Sequence, residues 1–409
     1  MGAPAARAVE LARHWVRAGH EVTVLTGFPN HPTGVVPPEW RPRLRNLVYR
    51  EDVDGIQVVR TWLFPLPNRK AYERMLNYVS FCVSAAMRER EIPRPDVVIA
   101  TSPQLLVGLS GWWIAHWKRV PFIFEVRDLW PESLSAVGMG EANSWLHRVL
   151  GAIAGFLYRR ANRIVVVTPA FREHLIKFWQ VPDGKISIVE NGVESALFSP
   201  AAEQKDLRAQ LGLVDKFVVS YIGTMGMAHG LETLIEAAAA IQPTNAKIAF
   251  LLVGEGADKE RIRQMVQRHG LKNLRFVDQQ PREKIPAYIC ASDVCLVLLR
   301  KTELFKTVIP TKMLEFMSCG KPVILGVDGQ ARQILEEART GVAIEPENAR
   351  ELVQAILKLA EDEAARASLG ANARQYIVER CSREQSAKKY ATVLMEVLAE
   401  ETQRRPRSS

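Results

Sequence analysis

Residues 306–325 read KTVIPTKMLEFMSCGKPVIL: a turn, a short helix and a buried strand in one unbroken run. At about 100° per residue from Pro310, Thr311, Lys312, Glu315 and Ser318 share one arc of the helix, while Met313, Leu314, Phe316 and Met317 fill the other. One face is anchored and the other presented. Pro310 suits a first helical turn, where its missing N–H is not needed, and Cys319-Gly320 stops the helix before Lys321-Pro322. PVIL reads as a strand buried on both faces. A helix N-terminus gathers unpaired N–H groups and partial positive charge, so Thr311 and Lys312 suit a phosphate. Glu315, one turn on, suits a ribose diol. The same residues also fit an ordinary amphipathic helix with a solvated Lys-Glu pair.

Around this stretch lie 409 residues, too many for one core, so two domains of similar size are expected. At 47% hydrophobic and 24% charged the chain reads as soluble and globular, with no apolar run long enough for a membrane span. No secretory signal is seen. Cys82, Cys290, Cys295, Cys319 and Cys381 are odd in number and lack C-x-x-C spacing or His neighbours, which argues against a zinc site or a disulfide framework. A reducing cytoplasm fits them best. The net charge of +9 calls for an anionic partner. Nucleic acid is not expected, because the basic residues are dispersed or paired with acids and no nucleic-acid-binding pattern is present.

Upstream, Gly2-Ala-Pro-Ala-Ala-Arg7 looks like a glycine loop opening a helix, but no strand precedes it. The start is therefore expected to lie inside a longer gene product, since the first strand of a doubly wound sheet is central and costly to lose. Arg7 is a candidate for an acceptor phosphate or an ordinary solvated arginine. VTVLT then ends at a loop holding His31, a candidate acceptor-site residue that also stands between prolines. VYREDVDGIQVVRTW (48–62) reads as a β-hairpin turning at Asp54-Gly55, so its Asp52-Val53-Asp54 is assigned to turn chemistry and no metal is expected. Residues 71–88 form a helix with a narrow polar stripe, Glu73, Asn77, Ser80, Ser84 and Arg88. A helix so widely apolar is covered by protein or laid on lipid. FIFEV delivers Arg127, Asp128 and Glu132 to its carboxyl end, where Asp128 could deprotonate a hydroxyl, pair with Arg127 or cap the next helix.

A boundary is placed near residue 200, after which strands and helices alternate regularly and imply parallel βαβ units. Gly223 and Gly226 lie between a strand and a helix, with His229 just before the helix; backbone N–H groups there could cradle a diphosphate. Their spacing departs from the dinucleotide G-x-G-x-x-G fingerprint. Gly254-Glu255-Gly256 is a similar turn after the next strand. The fold class is α/β, two Rossmann-like doubly wound domains with a cleft between.

Together GAPAAR, HEVTVLTGFPNHPTG, FEVRDLWPES, VENGV, YIGTMGMAHGLETLIEA, VGEGADKERI and IPTKMLEFMSCGKPVI resemble glycosyltransferase family 4, the retaining GT-B enzymes, over nearly the whole chain. The likeness is strongest to bacterial enzymes of O-antigen, capsule and colanic-acid assembly. The resemblance implies metal-independent transfer of a sugar, with retention and no cofactor, from a nucleoside diphosphate sugar, a UDP-sugar above all, to a lipid-linked or saccharide acceptor. It implies an acceptor domain over 1–200 with Gly2, Arg7, His31 and Arg127 at the acceptor and Asp128 as candidate base. A nucleotide domain over 201–380 would hold the donor through Gly223, Thr224, Gly226, His229, Glu255, Thr311, Lys312 and Glu315. Residues 381–409 would be a helix packing back across the cleft and then a disordered basic tail. Glu315 matches the second acid of the family's E-x7-E motif, but the first falls at Thr307, and the family's phosphate-binding Arg and Lys fall at Thr224 and His229. Phosphate binding is therefore reassigned to backbone N–H groups at Gly223–Gly226 with Lys312, helped by Lys306 or Arg300. Peripheral contact with an anionic membrane from the cytoplasm is a further expectation. A sugar-nucleotide epimerase of the same architecture and a non-catalytic nucleotide-sugar-binding homologue are the competing readings.

Overall fold

The computed structural model describes residues 3–30, 34–67, 71–133, 144–202 and 206–404. Gly2, His31 and the basic tail lie outside the described residues. The chain divides into two compact units, Met1–Glu190 with Ser386–Ser409, and Asn191–Gln385.

The first unit runs α1 (Ala3–Arg17), β1 (Thr23–Gly27), β2 (Val48–Val53), β3 (Ile56–Thr61), α2 (Ala71–Ala86), β4 (Val98–Thr101), α3 (Val107–Lys118), β5 (Phe122–Val126), α4 (Trp145–Arg160), β6 (Arg163–Val166), α5 (Pro169–Trp179) and β7 (Ile186–Ile188). The hairpin is present, β2 antiparallel to β3 with Val53 opposite Ile56. Asp52 accepts from the Gly55 N–H at 2.9 Å and from Gln57 Nε2 at 2.7 Å, while Asp54 pairs with Arg13 at 2.7 Å. Asp52 therefore serves the turn, and Asp54 ties it to α1. The described strands form two sheets, β1-β3-β2 and the parallel β4-β5-β6-β7. Helix α1 packs against both sheets. Its Ala12 packs with Ile56 and Val58, and its Leu11 with Ile123 and Val165.

Arg7 is 1% exposed, with Nη2 2.9 Å and Nε 3.0 Å from Glu125 Oε1, and it donates to the Val189 and Glu190 carbonyls at 3.0 Å. Burial alone would raise the Glu125 carboxyl, but the Arg7 and Arg127 charges outweigh it and hold the group below the usual carboxylate range. Breaking such a pair from one side costs about 3–5 kcal/mol, because it leaves a buried charge uncompensated. In this geometry Arg7 joins α1 to the sheet.

The second unit runs β8 (Phe217–Ile222), α6 (Glu232–Ile241), β9 (Ile248–Val253), α7 (Lys259–Arg268), β10 (Leu274–Val277), α8 (Ile285–Cys290), β11 (Val294–Leu298), α9 (Thr311–Ser318), β12 (Val323–Gly326), α10 (Gln330–Glu337), β13 (Gly341–Ala343), α11 (Ala349–Glu361) and α12 (Glu363–Arg380). Its strands stand in the order β10-β9-β8-β11-β12-β13, all parallel. This is the doubly wound arrangement. Val323, Ile324 and Leu325 are fully buried, as the PVIL reading required.

The boundary expected near residue 200 falls at Glu190/Asn191, because Arg374 of α12 clasps the linker, donating to the Ser195 and Phe198 carbonyls at 3.1 and 2.9 Å. Phe198 is fully buried in the second core. The last helix, α13 (Arg383–Arg404), begins in the second unit and ends in the first, where Ala387, Tyr390, Val393 and Val397 join Leu11, Ile123 and Val165.

Candidate functional site

Strand order decides where a ligand fits the second unit. The winding reverses between the neighbours β8 and β11, and it is at the carboxyl ends of the strands beside such a reversal that open α/β sheets bind ligands. The glycine loop after β8, the loop after β9 and the first turn of α9 meet there.

The two loops are stitched together by backbone. Met225 donates to the Glu255 carbonyl at 2.8 Å, and Asp258 to the Met225 carbonyl at 3.0 Å. A Cβ at Gly254 (φ 147°) would lie 2.0 Å from the Gly223 carbonyl oxygen, and one at Gly256 2.1 Å from that of Met225. Gly254-Glu255-Gly256 thus buttresses the first loop. The Glu255 carboxylate is taken by Lys259, which also meets Asp278 at 2.7 Å.

Lys312 reaches back from α9 to this loop. Its Nζ donates to the Tyr221 hydroxyl at 2.9 Å, lies 4.2 Å from the Tyr221 ring centroid, and would be 3.6 Å from a Cβ at Gly223. Tyr221 in turn donates to the Thr224 carbonyl at 2.6 Å, so cation and loop are held by one buried phenol. Burial pushes the Lys312 ammonium down to about 7, against the pull of Glu315. His229 Nδ1 stands 3.5 Å from Lys312 Nζ, and burial with the lysine's charge pushes the imidazole down to about 3. His229 is therefore neutral at physiological pH, and Lys312, which titrates there, is the group that can carry charge beside the loop. Thr224 is exposed, Gly226 and Thr311 are half-buried, and no side chain caps the N-terminus of α9.

The polar arc of α9 needs one correction. Met313, Leu314, Phe316 and Met317 are buried as expected, but so is Ser318, which donates to the Phe198 carbonyl at 2.6 Å. Glu315 is not a solvated residue either. Its Oε1 accepts from Arg282 at 2.8 Å, the two side chains are 15% and 12% exposed, and the guanidinium stacks 4.8 Å from the Phe198 ring centroid. Sequence reasoning missed Arg282 and Tyr221, because no local pattern connects them to α9. Thr307 turns its hydroxyl to the Leu304 carbonyl at 2.6 Å. The cations offered as helpers are engaged. Arg300 donates to the Met227 carbonyl at 2.6 Å and to Glu232 at 2.7 Å, and Lys306 pairs with Glu303 at 2.6 Å.

In the first unit, Arg127 and Asp128 follow β5 directly. The Arg127 N–H donates to Ser102 Oγ at 2.7 Å. Burial raises the Asp128 carboxyl to about 6, against hydrogen bonds involving Ser133 and Trp130. Glu132 Oε1 lies 3.2 Å from both His174 Nε2 and Trp179 Nε1, two partners the sequence did not single out. An acid of this pKa at a strand's carboxyl end can exchange a proton with a hydroxyl near neutral pH.

Known proteins share this layout. The family model described as "Glycosyl transferase 4-like domain" matches residues 2–192, and that described as "Glycosyl transferases group 1" matches residues 203–376. The chain is 26% identical over 84% of its length to a protein named as a colanic acid biosynthesis glycosyl transferase, WcaI of Escherichia coli K12, 85% of which is covered. It is 25% identical over 89% of its length to the D-inositol 3-phosphate glycosyltransferase of Kineococcus radiotolerans, with 84% of that protein covered. Among solved structures it resembles sucrose-phosphate synthase from Thermosynechococcus elongatus, with a TM-score of 0.74, 22% identity and 96% and 92% of the two chains covered. Anabaena HepE, solved in complex with UDP-glucose, has a TM-score of 0.68 and 19% identity, with 92% of this chain and all of that one covered. Each half of the chain matches its own half of one enzyme type, in the same order and over nearly the full length, and the protein is thus a family 4 glycosyltransferase of GT-B fold.

Proposed function

We propose that the protein moves a sugar from a nucleoside diphosphate sugar, a UDP-sugar, to a lipid-linked or saccharide acceptor with retention, as a step of cell-surface polysaccharide assembly in the cytoplasm. The observation that carries this is the Lys312 amine, held against Tyr221 beside Gly223 at a pKa of about 7. An arriving diphosphate converts it to a full ammonium at the position where leaving-group charge develops. The solved relative bound to UDP-glucose supports the donor class.

In this reading the N–H groups of Gly223–Gly226 and the first turn of α9, with Thr311, receive the diphosphate, and Glu315 takes the ribose. Thr224, His229 and Glu255 line the donor site. The bond from the anomeric carbon to the phosphate oxygen breaks as the bond to the acceptor oxygen forms on the same face. The acceptor's proton goes to the leaving phosphate or to Asp128. Arg127 stands beside Asp128 as an acceptor-site residue, whereas the buried Arg7 is assigned to the sheet.

Purified protein with EDTA, a panel of UDP-sugars and polyprenyl-diphosphate-linked saccharides is expected to yield a glycosylated acceptor whose new linkage keeps the donor's anomeric configuration, read by mass spectrometry and NMR. Epimer formation without acceptor, or UDP binding with no turnover on any acceptor, overturns the proposal. With Asp128 as the base, kcat/KM falls about tenfold per pH unit below about 6, since the carboxyl is protonated there and ionised above. Asp128→Asn removes that inflection along with most of the activity; an unchanged profile in the variant excludes Asp128 as the base.

A further inference from the structure

Helix α2 turns its polar stripe inward and leaves an apolar face outside. Its polar stripe faces the protein: Asn77 donates to the Phe64 carbonyl at 2.9 Å, Ser80 accepts from the Phe64 N–H at 2.9 Å, and Ser84 is hydrogen-bonded to Thr61 of β3. The outward residues are Tyr72, Leu76, Val79 and Val83, with Met87 just beyond the helix, at 44–72% exposure. Their spacing places them on one face. An ordinary surface helix is built the other way round.

The neighbouring helices extend this character. α3 packs against both α2 and α4, with Trp112 edge-on to Phe156 at 4.8 Å. Its exposed side chains are Trp113, His116 and Trp117. On α4 the exposed residues are Trp145, Val149, Ala152 and the arginines 148, 159 and 160. Among the described residues of these three helices, no exposed side chain is acidic. The charge balance of the chain follows the same division. The first unit has 29 basic and 20 acidic residues and the second 25 of each, so the entire +9 belongs to the unit with this surface.

We propose that the outer surface of α2, α3 and α4 seats the protein on an anionic lipid bilayer. The apolar residues of α2 enter the acyl boundary, the tryptophans lie at headgroup level, and the arginines of α4 meet lipid phosphates. A second copy of the chain fits this surface poorly, because a twofold contact would set the positive units against each other. No described helix is long and apolar enough to cross a membrane, so the contact is one of docking on the surface. Vesicle binding needs no nucleotide, so its failure leaves the donor site untouched.

Co-sedimentation of the whole protein with vesicles tests this. Binding is expected to phosphatidylcholine–phosphatidylglycerol vesicles at low salt, with release as salt rises and little binding to pure phosphatidylcholine. Leu76→Glu/Val83→Glu on α2, and separately Trp113→Glu/Trp117→Glu on α3, lower binding by at least about tenfold. These side chains are exposed, so circular dichroism and melting temperature stay as in the wild type; should one variant misfold, the other helix still decides. Absence of binding to the anionic vesicles, or undiminished binding in both folded variants, overturns the proposal. So does a dimer in sedimentation velocity that either variant abolishes while vesicle binding persists.

Discussion

Lys312→Met is expected to weaken UDP binding about a hundredfold while leaving the fold at least as stable. A charge-assisted contact to phosphate contributes roughly 2–3 kcal/mol, and methionine keeps the length of the side chain without the charge. The stability side follows from the depressed pKa. The unfolded lysine titrates near 10.5 and the folded one near 7, so the unfolded chain binds more protons between these values and the wild type gains stability as pH rises through that window. Methionine removes this penalty at neutral pH. The same proton controls affinity: below about 7 Lys312 is an ammonium, above it an amine. UDP is fully ionised above neutrality, so its affinity for the wild type is expected to fall from pH 7 to 9, by at most about tenfold per unit. In the methionine variant that slope is absent. Calorimetric titration at several pH values checks both points, and wild-type affinity in the variant would remove Lys312 from the donor site.

Glu315→Gln is expected to cut turnover by about a hundredfold and to destabilise the second unit by about 2 kcal/mol. The sequence by itself predicts the first effect without the second, because an exposed glutamate leaves nothing behind when neutralised. The structure adds the second, since the Arg282 guanidinium at 2.8 Å loses its carboxylate in a largely buried setting. Arg282→Met separates the two roles: it lowers stability similarly but, leaving the carboxylate in place, weakens UDP binding far less than Glu315→Gln. Denaturant titration alongside steady-state kinetics distinguishes these outcomes. Near-normal turnover of Glu315→Gln would show that ribose is held elsewhere.

Much of the fold follows from local pattern. The alternation of buried strands and amphipathic helices, the Asp54-Gly55 hairpin, the buried PVIL strand and the apolar arc of α9 are properties of neighbouring residues, and each is present as read. The candidate donor site was legible to the same extent, as a glycine loop and a helix N-terminus. Its electrostatics were not. Lys312 owes its depressed pKa to burial and finds Tyr221 91 positions away, and Glu315 finds Arg282 33 positions upstream. Arg7 reads as a surface arginine until the sheet brings Glu125 to it across 118 positions.

The sequence by itself therefore determined which segments become helices and strands, which faces are apolar, and which family the chain resembles, because hydrophobic period and turn chemistry act over a few residues. The tertiary structure alone decided which polar groups meet and which way amphipathic faces point. For α2, hydrogen bonds to Thr61 and Phe64 turned its serines and Asn77 inward and left the apolar stripe outside. For α9, the strand reversal at β8 and β11 turned an ordinary Lys-Glu face into a cation against a glycine loop and a carboxylate clasped by arginine. The physical reason is the same in both: a side chain's partner and its dielectric surroundings depend on where distant segments pack, which no local period encodes.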